Sequence, residues 1–284
     1  MALTRTFMQL RPIIAALGRH KVATLLIVLQ VALTLAVASN ALFIVATRIV
    51  HLSRPTATDE AHILVIRNGW TLGQTAAQID ANIRADLDTL RHVAGVRDAF
   101  SSQGFPLAGY NVNIVTHLKL EPDQKTHAQL VTFFAADEHA IDTLGISLVA
   151  GRNFRPDEIT AIGPIDKMSP ASIIITRSLA DKLFPEGSAL GKTVYLPDGP
   201  ATIIGILASL QGPLKNSSPL DGYTVLIPTR YLDPAGVVYL VRTDSTAMQP
   251  VIAATMKALQ ERGSVRIIDP EKGVVTMAQA RDRA

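Results

Sequence analysis

The sequence predicts an α+β protein: a single membrane-spanning helix near the N-terminus, then an extracytoplasmic domain of two β-α-β units with strand-rich material between them. Three observations predict it. Residues 22–47 carry no charge. The excess of basic residues is confined to the first 54 positions. Along the rest of the chain the apolar period switches between about two and about 3.6 residues, the marks of strand and helix.

The uncharged run, VATLLIVLQVALTLAVASNALFIVAT, is 26 residues long. As a helix it would extend roughly 39 Å, more than the hydrocarbon core of about 30 Å requires. Residues 1–54 hold six basic residues (Arg5, Arg11, Arg19, Lys21, Arg48, Arg54) and no acid, leaving 21 basic and 24 acidic residues for the other 230. Four of the six precede the run, so the positive-inside tendency puts the N-terminus in the cytoplasm and the bulk of the chain outside. Ala36-Val37-Ala38 has the small-x-small shape of a signal-peptide cleavage site. Nine uncharged residues follow Ala38, however, which favours a retained anchor. The stretch before the run, LTRTFMQLRPIIAALGRHK, alternates basic and apolar residues. It reads either as an amphipathic helix on the inner membrane face or as a basic flank without fixed structure.

The exported part begins with a strand at 62–67 (HILVIR). Leu72, Ala76, Ile79, Ile83, Leu87 and Leu90 recur at helical spacing and predict an amphipathic helix over 72–92. Strands are expected at 96–101, 111–120 and 130–135, and a short helix at 137–144. Within 111–120, Val112, Ile114, His117, Leu118 and Leu120 compete for the buried face. After Gly145 short strands (172–176, 193–196, 202–207, 223–228) alternate with Pro/Gly turns, and 164–170 reads as an exposed loop. A strand at 237–242, a helix at 245–262 with Pro250 in its first turn, and a strand at 265–268 complete a second β-α-β unit.

Several chemistries are excluded or disfavoured. Without cysteine there are no disulfides and no thiolate sites. Basic residues confined to the N-terminus do not fit a nucleic-acid-binding surface. Gly191-Lys192-Thr193 imitates the end of a phosphate-binding loop, but Glu186 stands where the first glycine belongs. The order is also inverted, with a helix before the turn and a strand after it. His117, His127, His139, Asp137, Glu138 and Asp142 are the densest set of metal-ligand types, at spacings that match no ligand pattern. No nucleophile elbow and no carboxylate pair stands out, so nothing points to an enzyme, and no cofactor is expected. Trp70 reads as a packing residue.

The order of motifs then becomes specific. LGISLVAGRNF (144–154) with Asp157 just after it is followed by IIITRSLADKLFPEGSALGKTV (173–194) and ATIIGIL (201–207). This resembles the MacB/FtsX-like permease family of ABC transporters. The positions that carry the likeness are Gly151, Arg152, Phe154, Asp157, Ser178, Leu179, Ala180, Leu183, Phe184, Pro185, Leu190, Gly191 and Lys192. Physically they read as packing and turn positions. Ser178 or Thr176 would cap a helix whose Leu179, Leu183 and Phe184 face inward, Pro185 would stop it, and the glycines would permit tight turns.

The resemblance implies a bacterial inner-membrane, permease-type subunit with a two-lobed periplasmic core. The expected divisions are a basic N-terminus (1–21), the membrane helix (22–47), a porter-like lobe (48–144 and 236–270), an inserted small lobe (145–235) and a stub (271–284). It also implies a homodimer and a separate cytoplasmic ABC ATPase, which alone would bind ATP. A periplasmic adaptor is one expected partner; the other reading is a non-transporting regulator that switches a protein such as a cell-wall hydrolase. Partner contact is expected around Asp157 to Pro170, a long proline-containing loop. Family members carry three further membrane helices, and no later apolar run in these 284 residues reaches 18, so the sequence reads as a truncated, split or single-anchor relative.

Overall fold

In the computed structural model the uncharged run lies within one helix, α1 (Lys21–Leu52). The structure describes residues 21–52, 58–106, 115–124, 128–212, 222–244, 248–263, 266–268 and 273–282. The stretch 1–20, with its amphipathic pattern, lies outside them. The chain divides into two units, Met1–Arg54 and Pro55–Ala284.

In the first unit, Lys21–Ala46 has a mean hydropathy of 2.3 and none of it is buried. It is long and apolar enough to cross a membrane. Within it Thr34 Oγ1 donates to the Gln30 carbonyl at 2.8 Å, which lowers the cost of a polar group in lipid.

The second unit opens with a single helical turn (Glu60–His62) and β1 (Ile63–Trp70). Then come α2 (Ala76–Arg91), β2 (Val96–Ser102), β3 (Val115–Leu118), β4 (Gln129–Ala136), α3 (Ala140–Leu144), β5 (Leu148–Gly151) and β6 (Thr160–Ile162). They are followed by β7 (Ser172–Thr176), α4 (Arg177–Leu183), β8 (Thr193–Leu196), β9 (Gly199–Leu207), β10 (Thr224–Tyr231) and β11 (Gly236–Thr243). The last elements are α5 (Met248–Glu261), β12 (Arg266–Ile267), β13 (Val274–Thr276) and α6 (Met277–Asp282).

The first sheet has the order β12-β1-β11-β2, and each neighbouring pair is antiparallel. Strand β11 therefore lies between β1 and β2, and β1 lies between β11 and β12. Two split β-α-β units interleave in this way, the ferredoxin-like arrangement. The burial of β1 is nearly continuous because both of its faces are covered. Leu64, Ile66 and Trp70 point toward α2 and α5 and pack with Ile79, Ile83, Leu87, Leu90, Val251 and Leu259. Ile63 and Val65 point the other way.

The second sheet is inserted between β2 and β11 of this frame. Its order is β3-β4-β10-β7-β9-β5, with β6 on β10 and β8 on β9. It curls until β3 meets β8, where the backbones of Lys119 and Tyr195 exchange hydrogen bonds of 3.0 and 2.8 Å. Inside the curl lie Val131, Phe133, Ile173, Ile175, Val194, Ile203, Val225 and Ile227, with Leu179 and Ala180 of α4 packed among them. Its other face shares one core with the frame. Ile63, Val65, Phe100 and Leu240 of the first sheet meet Phe134, Ile174, Leu207 and Leu226 of the second, with α3 between.

Several expectations need correcting. Strands β3 and β4, ahead of Gly145, pair within the second sheet. Within 271–284, β13 pairs with β1, and Val275, Met277 and Ala280 are buried. The helix at 72–92 begins one turn later than its apolar period suggests. A reciprocal Thr75–Gln78 capping box starts it at Ala76, leaving Leu72 fully exposed. Thr176 and Ser178 do not cap α4 with their side chains; both hydroxyls donate to the Gly222 carbonyl, at 2.5 and 2.6 Å. Of the strand expected at 111–120, residues 115–120 are described, and 115–118 form β3, where Leu118 is buried while His117 is exposed. Strands β5 and β6 were not expected. Trp70 is 4% exposed, and the 164–170 stretch is irregular and mostly exposed.

Candidate functional site

The two sheets meet at a polar cluster as well as at an apolar core. Arg91, the last residue of α2, donates from Nε and Nη2 to the Ala99 carbonyl at 2.9 and 2.6 Å. That anchors the guanidinium over β2. From there Nε lies 3.3 Å from Asp98 Oδ1 and Nη2 lies 3.5 Å from Asp137 Oδ2. One cation thus serves a carboxylate from each sheet. His139 closes the cluster: Nδ1 lies 2.9 and 3.0 Å from the two Asp98 oxygens, and its backbone N–H donates to Asp137 Oδ1 at 3.0 Å. Glu138 Oε1 is 3.6 Å from His139 Nε2.

Burial and charge compete here. Burial pushes the Asp137 carboxyl up to about 6, against the pull of Arg91 and His139. The hydrogen bond to Asp98 holds the His139 imidazole above its usual range, against burial and the repulsion of Arg91. In the structure α3 begins only after His139, Asp142 is exposed, and the imidazole turns to Asp98 on another strand. No local signal marked Asp98 or Arg91, because their partners in the inserted sheet lie 41 and 46 residues away.

The motif residues gather around β5, β9 and α4. Gly151, at φ +77°, lies opposite Gly205 in the β5–β9 pairing. A Cβ there would lie 2.1 Å from the Ile204 carbonyl and 2.6 Å from Leu190 Cδ1. Gly191, at φ +78°, turns the chain into β8 and donates its N–H to the Ile203 carbonyl at 2.8 Å. Lys192 accepts from the Ile203 N–H at 3.0 Å through its backbone, and its side chain is exposed. Phe154 is buried in the core between the sheets. Leu179 and Ala180 are buried, Leu183 and Phe184 half-buried, and Pro185 and Asp157 exposed. Gly151 and Gly191 lie at turns, and Phe154, Leu179 and Ala180 at packing positions.

Arg152 grips Glu158 with both nitrogens, at 2.8 and 2.6 Å, closing the turn after β5. The guanidinium holds the Glu158 carboxyl down at about 2. Stability from this pair is therefore present above about 4.5, the ordinary value, and lost as pH falls toward 2. Solvent screens the pair, so Arg152→Ala should cost only about 0.5–1 kcal/mol at pH 7. Denaturant titrations of wild type and variant should converge between pH 4.5 and 2.

Other surfaces are less organised. A cleft of about 140 Å³ between β5 and α4 is lined by Arg177, Asp181 and Ser188 among others. A wide groove along His117, Lys119, Asp123 and Pro197 is open to solvent. The loop after β6 is built around a tight turn in which Gly163 N–H donates to Asp166 Oδ2 at 2.6 Å, holding Ile165 97% exposed. Among the described residues no group of three or more His, Asp or Glu side chains is placed to hold a metal ion.

A family model, the MacB-like periplasmic core domain, matches residues 25–261. No curated protein sequence matches the chain. Among solved structures it is similar to the extracellular domain of the noncanonic ABC-type transporter YknZ from Gram-positive bacteria, at 16% identity, covering 71% of this chain and 97% of that one, with a TM-score of 0.42. It is also similar to the periplasmic region of MacB from Actinobacillus actinomycetemcomitans, at 12% identity, covering 82% and 96% of the two chains, with a TM-score of 0.45. A domain of a putative permease protein from Porphyromonas gingivalis shows 20% identity, covering 72% and 85%, with a TM-score of 0.41.

Proposed function

We propose, because this chain belongs to the MacB-like periplasmic core domain family of ABC transporter permease-type proteins, that it is a non-catalytic subunit whose extracytoplasmic domain relays movement. The driving partner is a separate cytoplasmic ABC ATPase, and the working form is a homodimer in the inner membrane. The observation that carries this reading is the shared core between the two sheets. The second sheet has no independent connection to the rest of the chain: it leaves the frame after β2 and returns at β11. Packing the two on one core converts a displacement of the frame into a displacement of the inserted sheet. Closely packed interiors transmit strain in this way.

The receiving partner, an adaptor or a cell-wall hydrolase, docks on the loop from Asp157 to Pro170. Ile165 supports that placement, since a hydrogen-bonded turn holds an apolar side chain in full view of solvent.

The absence of cysteine gives a clean test. Ile165→Cys in the full chain should react, in intact cells of the native host, with a membrane-impermeant, environment-sensitive maleimide. In inverted vesicles from those cells, adding ATP should shift the emission of the label. No labelling contradicts the orientation, and labelling without an ATP response contradicts the relay.

A further inference from the structure

We propose that Arg91, Asp98, Asp137 and His139 form a proton-operated latch between the two sheets, tight when His139 is charged and slack when it is neutral. The geometry is specific to the junction. Asp98 belongs to β2 of the frame, whereas Asp137 and His139 follow β4 of the inserted sheet. Arg91, on α2 of the frame, lies within 3.3 and 3.5 Å of a carboxylate on each side. His139, from the inserted sheet, lies 2.9 Å from the frame's Asp98. Frame and inserted sheet therefore each supply a basic group and at least one carboxylate to the same contact.

The charged groups facing His139 are Asp98 from β2, Arg91 from α2, and Asp137 and Glu138 from its own segment. With His139 charged and Asp137 neutral, the five groups sum to zero. With His139 neutral and Asp137 ionised, they sum to minus two. Arg91 is then the lone cation between two carboxylates, one of them only 6% exposed. Uncompensated charge at that depth is costly. Both shifts have the same sign in this balance. A raised imidazole value contributes stability at low pH that is lost as pH rises through it, and a carboxyl raised to about 6 costs stability once it ionises above that. The latch thus tightens toward pH 5 and slackens toward pH 8. The apolar core beside it is indifferent to pH and keeps the sheets together in both states. An extracytoplasmic domain meets such pH changes directly, whatever partner it serves.

The test is hydrogen exchange by mass spectrometry on the full chain in detergent micelles at pH 5.5 and 8, corrected for intrinsic exchange. Peptides covering 96–106 and 137–145 report the junction, and a peptide covering β7, inside the second sheet, is the control. Junction protection, relative to β7, should fall severalfold from pH 5.5 to 8. His139→Gln should show the low protection at both values, and Asp137→Asn should retain more of it at pH 8. Equal protection at the two pH values in the wild type overturns the latch, as does a His139→Gln chain with the wild-type dependence. Titration of the His139 imidazole by NMR, assigned with the His139→Gln variant, gives a second reading free of any folding defect. A midpoint at or below the usual histidine value also overturns the proposal.

Discussion

Replacing Asp86 by alanine should destabilise the domain by about 3–5 kcal/mol, the range for breaking a buried charge pair. Asp86 sits on the inward face of α2 with no exposure. Its Oδ2 accepts from the Tyr239 hydroxyl of β11 at 2.7 Å, and its Oδ1 accepts from Arg262 Nε, just past α5, at 2.8 Å. One carboxylate therefore ties both frame helices to the central strand. Alanine removes the acceptor of both bonds and leaves a void among large side chains. Asp86→Asn keeps the shape and one acceptor oxygen, so it should cost less. Trp70, the chain's single tryptophan, is buried in the core that α2 and α5 cover and reports unfolding of the full chain in detergent. A loss below about 1 kcal/mol for Asp86→Ala, the worth of one ordinary hydrogen bond, would contradict this role.

Gly151→Ala should cost about 2–5 kcal/mol. Two causes add. The left-handed backbone costs a non-glycine residue about 1–2 kcal/mol. The new Cβ would also meet the Ile204 carbonyl at 2.1 Å and Gly205 Cα at 2.9 Å, and overpacking adds about 1–3 kcal/mol. Gly191 supplies the control. Its φ of +78° is nearly the same, but nothing lies within 4 Å of its Cβ position, so Gly191→Ala should cost only the backbone share. Exchange rates of the β7 and β9 amides measure both variants. Gly191→Ala costing as much as Gly151→Ala would show that the close approach of β5 to β9 is not what selects glycine there.

What was legible in the sequence was local. The anchor is a single run, and α2, α5 and β1 announce themselves by period. What was hidden depends on distant partners. β3 and β4 look like a continuation of the frame; β3 pairs with β4, and only the pairing of β4 with the distant β10 assigns both to the second sheet. β5 and β6 are four and three residues long and carry no clear alternation. Asp86 reads as a polar position on a helix, and only Tyr239 and Arg262 explain its place on the buried face. Leu72 extends the helical period but lies ahead of the cap, where a local bond between Thr75 and Gln78 overrules it. The motif residues were visible as glycines, a proline and apolar positions; of the junction cluster only Asp137, Glu138 and His139 stood out, because Asp98 lies 41 residues from His139.

The relay reading stands or falls on its motor. The full chain should be expressed with an N-terminal tag in its native host, extracted with a mild detergent, and its companions identified by mass spectrometry. The account predicts an ABC ATPase among them, with a periplasmic adaptor or hydrolase as a further companion. Recovery of the intact, folded chain without any ATPase would contradict it.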